Sequence, residues 1–187
     1  GRLGETQFEL MEIATYKKIK TKNSNGQTQV SWQPIFTGLL LQADFNKNFS
    51  GLTVVKTDSL EKNIGQFART AQRIMGTFSK TKIVELENLE FEAVFQVRST
   101  DATEARYLLT PIFMEKLLEL RRVQGTEVQV SFLDSKIIMA LPQTRTFFEL
   151  KNGFDELTSS CLGMSKDIID VLSLIETLDL NNRLSKT

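Results

Sequence analysis

The sequence predicts an α+β fold: a largely antiparallel sheet with one central helix pair and a C-terminal helix packed on it. Three observations carry this expectation. Strand-like runs fill the first half and are joined by an Asn-Gly turn. At Asp101 the hydrophobic period switches from two to about 3.6. Strands outnumber helices without alternating with them one for one, as a parallel α/β sheet would require. The chain has 187 residues, and with no repeat or Pro/Gly/Ser-rich linker it reads as a single domain over 1–187.

Thr6 to Lys22 holds Phe8, Leu10, Met11, Ile13, Tyr16 and Ile19, rich in β-formers and without a sustained helical stripe. Asn23-Ser24-Asn25-Gly26 follows, and Asn-Gly takes the positive φ angles that a tight hairpin demands. A second run, Gln29 to Phe45, pairs back on the first. Pro34 within it cannot donate to a ladder, which predicts an edge position or a bulge. Gly51 to Lys56 is a short third strand. Ser59 to Gly76 spaces Leu60, Ile64, Phe67, Ala71, Ile74 and Met75 by mostly three and four residues. That fits either an irregular flap or a helix weakened by Gly65, by up to ~1 kcal/mol. Lys82 to Leu86 and Phe91 to Arg98 read as strands, the latter with Phe91, Ala93, Phe95 and Val97 on one face.

Asp101-Ala102-Thr103-Glu104 has the form of a capping box, the Asp side chain accepting from the Glu104 amide and the Glu reaching back. Thr110-Pro111 marks a second start, with proline at the first helical position behind a threonine cap. The apolar stripe Ile112, Phe113, Leu117, Leu118, Leu120 runs on to Val123, and Gly125 ends it. A short helix bending into a longer one is expected across the sheet. Thr126 to Leu133 and Lys136 to Leu141 form a strand pair joined at Asp134-Ser135. Arg145 to Leu150 is extended, Asn152-Gly153 turns, and a helix from Ser165 lines up Ile168, Val171, Leu172, Ile175 and Leu178.

Composition removes several chemistries. There is no histidine, so Ser-His-Asp and Cys-His nucleophilic systems lack their imidazole. A single cysteine, Cys161, forbids an intrachain disulfide and, without histidine, leaves zinc no ordinary ligand set. No phosphate-gripping glycine loop occurs. Asp44-Phe45-Asn46-Lys47-Asn48 resembles a calcium loop only superficially, since Phe49 stands where the sharp turn needs glycine and Val55 where a bidentate carboxylate is needed. Ser59-Leu60-Glu61-Lys62 fits an S-x-x-K nucleophile pattern but lacks its companion elements. No cofactor is expected.

The 23 basic and 23 acidic residues balance, which argues against a nucleic-acid-binding role driven by a basic surface. One local excess stands out: Lys17, Lys18, Lys20 and Lys22. It reads first as a blunted sheet edge, with an anionic-lipid contact as the alternative. No apolar run approaches the roughly 20 residues that a membrane-crossing helix needs. The chain opens Gly1-Arg2-Leu3-Gly4 and its first methionine is Met11, so it reads as a piece of a longer protein.

Arg98, Asp101, Glu104, Arg106 and Tyr107 are the candidate ligand-binding residues, gathered at a strand-to-helix junction. On one reading they line a polar pocket. On the other, Asp101 and Glu104 cap the helix while Arg106 holds the junction by an ion pair. Caps are worth about 1 kcal/mol each and need no further cause, which favours the structural reading.

This same stretch carries a resemblance. Phe91-Glu92, Phe95-Gln96-Val97, Asp101, Glu104-Ala105-Arg106-Tyr107, Leu109-Thr110-Pro111 and Phe113-Met114 resemble an uncharacterised bacterial family, domain of unknown function 3137. Phe36-Thr37-Gly38 and Ala43-Asp44-Phe45-Asn46-Lys47 fit the same pattern, and the likeness covers roughly residues 30 to 150. The resemblance implies no activity, cofactor or catalytic residue. It implies a bacterial protein of the cytoplasm or the cytoplasmic membrane face, membrane-associated at full length. The expected function is a non-catalytic domain that binds an unknown protein partner and no nucleic acid. Two rivals stand beside it: a small-molecule hydrolase or isomerase using a carboxylate pair at the Asp101–Tyr107 junction, and a carrier of a lipid or other small ligand.

Overall fold

The longest element is a hairpin. The structure, a computed structural model, describes residues 1–23, 26–45, 47–57, 79–124 and 127–142, together with Ile169, Ser173 and Glu176. After a two-residue strand β1 (Arg2–Leu3), β2 (Thr6–Lys22) and β3 (Thr28–Asp44) run antiparallel from Phe8 opposite Ala43 to Lys22 opposite Thr28. Gly26 closes the turn at φ +76°, and its amide donates to the Asn23 carbonyl at 3.0 Å. The Asn23 side chain accepts from the Gln27 amide at 2.8 Å. Pro34 behaves as its missing N–H requires. Thr15 faces Phe36 while Tyr16 faces Pro34, which leaves Ile35 as the extra residue of a bulge.

Five more strands bring the sheet to eight among the described residues: β4 (Thr53–Thr57), β5 (Lys82–Ile83), β6 (Phe95–Ser99), β7 (Gln129–Leu133) and β8 (Lys136–Pro142). Their order is β1-β2-β3-β8-β7-β4-β6-β5, and every pairing is antiparallel. Asp134 and Ser135 both take positive φ, at 51° and 60°, the geometry of a two-residue turn whose twist suits its strands. The architecture is therefore α+β and mostly sheet.

Alternation along the strands makes one face apolar. Leu39, Leu41 and Ala43 of β3, Ile137, Met139 and Leu141 of β8, Val130 and Phe132 of β7, and Phe95 and Val97 of β6 are all buried. Three helices lie among the described residues up to Pro142: α1 (Leu89–Glu92), α2 (Ala102–Leu108) and α3 (Pro111–Gln124). Ala105, Leu108, Phe113, Met114, Leu117 and Leu120 join the strand residues in one buried cluster. Phe45 and Phe49, from the loop after β3, insert edge-on against Phe132 with ring centroids 5.1 and 6.1 Å apart.

One expected strand is wrong. Leu89–Glu92 is a helical turn rather than the start of a strand from Phe91, and Ala93 is exposed. The Asn88 side chain caps it by accepting from the Phe91 amide at 3.0 Å. Glu92 Oε1 takes the Leu86 amide at 2.6 Å. The preceding strand is shorter than expected: Lys82 and Ile83 pair with β6, the Val84 amide still donates to the Val97 carbonyl at 3.0 Å, and Leu86 turns to Glu92 instead. The turn at Ala93 and Val94 brings Phe91 of α1 and Phe95 of β6 together, 4.9 Å between centroids. The readings at Ser59 to Gly76, Arg145 to Leu150, Asn152-Gly153 and Cys161 lie outside the described residues. Of the C-terminal helix, Ile169, Ser173 and Glu176 are helical and exposed.

Candidate functional site

The junction between β6 and α2 is built around a buried hydroxyl. Ser99 Oγ lies 2.8 Å from Thr53 Oγ1, accepts from the Asp101 amide at 3.1 Å and donates to the Asp101 carbonyl at 2.8 Å. Asp101 caps α2 as its spacing predicts: Oδ1 accepts from the Thr103 and Glu104 amides at 2.8 and 3.1 Å. The second half of the expected capping box does not form, because Ser99 already holds the Asp101 amide.

Glu104 turns instead to the loop after β3. Its Oε1 accepts from the Ser50 amide and its Oε2 from the Gly51 amide, both at 2.8 Å. Thr100 Oγ1 accepts from the Leu52 amide at 3.0 Å beside it. Gly51 is required by this closeness: a Cβ there would run into Glu104 Oε2 and sit 2.6 Å from Thr100 Oγ1. Lys47 finishes the latch by donating to the Tyr107 carbonyl with its ammonium 4.4 Å above the Tyr107 ring. Burial pulls the Lys47 pKa below its ordinary value.

The remaining two candidates face elsewhere. Strand alternation sets Arg98 on the opposite side of β6 from Val97 and Ser99, where it donates to Thr81 Oγ1 at 3.2 Å and to the Thr81 carbonyl at 2.8 Å. Arg106 donates to the carbonyls of Glu85 at 3.1 Å and Ala102 at 3.4 Å, in place of the ion pair anticipated for it. The structure thus brings Asp101, Glu104 and Tyr107 to one latch and leaves Arg98 and Arg106 outside it. Sequence reasoning missed Lys47, Ser99, Thr100 and the Ser50 and Gly51 amides. Loop and helix lie about 50 residues apart, and no local pattern announces such a contact. Among the described residues no three His, Cys, Asp or Glu side chains come together as a metal site would need.

A second candidate surface is the distal hairpin. Among the described residues β8 pairs with β3 only from Gly38 to Asp44, so Tyr16–Lys22 and Thr28–Pro34 project as a two-stranded arm. Its side chains are exposed apart from a half-buried Ile19. Trp32 stands 63% in solvent and Tyr16 54%. Buried cores give these residues no reason to exist, and a lone two-stranded ribbon is only marginally stable in water.

Among solved structures, the chain is similar to the mycobacterial trehalose monomycolate transport factor A. The likeness spans 88% of this chain and 74% of that one, at 8% identity and a TM-score of 0.41, too slight to bear on function. No curated protein sequence matches. No helix among the described residues is long and apolar enough to cross a membrane. The model of the family described as protein of unknown function, DUF3137, matches residues 34–180; the latch, strands β4 to β8 and the part of β3 from Pro34 onward lie within that span, and the chain belongs to this family.

Proposed function

We propose that this is a non-catalytic binding domain of a bacterial protein, acting at the cytoplasmic membrane face by contact with a partner. The observation that supports this best is the state of the two carboxylates. A general base is placed by its surroundings to face a substrate proton, whereas these two are placed to face backbone amides. Asp101 is engaged by two amides of its own helix, and Glu104 by two amides of the neighbouring loop. Pulling Glu104 away would release the loop that delivers Phe49 to the core. The junction therefore holds the loop in place, and the projecting arm is the surface left to meet a partner.

Photo-crosslinking in bacterial cells tests the reading. A photoreactive residue at position 32 should give adducts that the same residue at position 90, on exposed α1, does not. Turnover of any compound by the purified protein, abolished in Asp101→Asn while the melting temperature stays within a few degrees, would overturn it.

A further inference from the structure

We propose that the arm docks on an anionic phospholipid surface, with its lysines at the phosphates and Trp32, Tyr16 and Val30 in the interfacial layer. This deepens the binding-domain reading and rests on it. The bulge at Ile35 creates the face. With it, Lys18 lies opposite Trp32, Lys20 opposite Val30, Lys22 opposite Thr28 and Tyr16 opposite Pro34. An unbroken ladder would set Lys18 against Gln33 and Ile19 against Trp32, moving Trp32 and Val30 to the face opposite Lys18, Lys20, Lys22 and Tyr16, because one residue of slip reverses a strand. As built, one face carries three lysines, both exposed aromatics and Val30. The other carries Lys17, Ile19, Thr21, Gln29, Ser31 and Gln33.

Charge supports the same occupant. No acidic residue occurs from Ile13 to Ala43, while four lysines do. Lys18 Nζ lies 5.7 Å from the Trp32 ring centroid, so cation and indole sit side by side. Tryptophan and tyrosine favour the headgroup layer, where an apolar ring and a polar edge are both satisfied. Lysine stems can lie along apolar surface while their ammonium groups reach phosphate. A nucleic acid would draw on a wider positive field than this charge-balanced chain supplies. The arm precedes almost all of the residues that match the family.

Trp32 is the only tryptophan in the protein and reports directly. Its emission should shift to the blue with vesicles containing one-third phosphatidylglycerol, not with pure phosphatidylcholine, and the shift should fade as salt rises. Each lysine is worth about fivefold in binding, so Lys18→Gln, Lys20→Gln and Lys22→Gln together should weaken it by about 100-fold. Lys80→Gln, on an exposed residue elsewhere, should leave it unchanged. No shift with any vesicle, or an equal loss in Lys80→Gln, overturns the proposal. A shift with heparin or single-stranded RNA but not with vesicles overturns it in favour of a polyanion. Should vesicles fail while position 32 crosslinks to a protein in cells, the lipid assignment falls and the binding-domain reading stands. Absence of both fells the two together.

Discussion

Replacing Glu104 with alanine tests whether this carboxylate is a latch. Wild-type Glu104 receives two backbone amides at 2.8 Å, of which the Gly51 bond is partly buried and the Ser50 bond exposed. Hydrogen bonds to charged groups contribute about 1.5–3 kcal/mol each. Water replaces most of the lost acceptor at Ser50, whereas the Gly51 amide is left short of a partner in a tight space. The expected loss is therefore about 2–3 kcal/mol rather than the full sum of two such bonds. For a chain of this length that corresponds to a fall in melting temperature of about 4–12 °C. Glu104→Gln keeps one neutral acceptor and should fall between alanine and wild type. Urea unfolding gives the free energies, and hydrogen exchange should show the Ser50 and Gly51 amides deprotected before the core opens. An alanine variant within about 0.5 kcal/mol of wild type, the range of an inconsequential surface change, would refute the latch.

Three further outcomes follow from the same geometry. Gly51→Ala should cost about 1–3 kcal/mol by forcing Glu104 and Thr100 away, and part of that cost should vanish in a Glu104→Ala background, a non-additivity that a double-mutant cycle would measure. Since burial lowers the Lys47 pKa below its ordinary 10.5, the unfolded chain binds the extra proton as pH approaches that value. Wild-type stability relative to Lys47→Met should accordingly rise with pH across the alkaline window below 10.5, and a fall there in denaturation titrations would contradict the burial. Gly26→Ala meets no neighbouring atom, yet φ +76° costs a side chain about 1 kcal/mol; faster amide exchange confined to the arm, with little change in melting temperature, is the expected result.

Much of the fold was legible because it is local. Thr6 to Lys22 appears as a strand with the expected bounds, the turn at Gly26 and the caps at Asp101 and Thr110 follow from side chains next to the backbone they serve, and Val128, Val130 and Phe132 are buried as their alternation implies. The failure at Phe91 has a physical cause. Period-two and period-four patterns both bring Phe91 and Phe95 inward over so short a run, and the Asn88 cap decides between them. The candidate site was half legible. Asp101 announced itself, but Glu104 took partners 53 and 54 residues away that no spacing rule could name.

What the sequence determined alone was the menu of elements and the chemistry it lacked, because turn residues, caps, periodicity and the missing imidazole act within a few residues or by composition. Only the tertiary structure decided that β8 and β7 lie between β3 and β4, that Glu104 grips a distant loop, and that one extra residue at Ile35 gathers the lysines and Trp32 on one face. Those outcomes rest on pairing between remote segments, where register is settled by burying one apolar sheet face as a whole rather than by any residue's own preference.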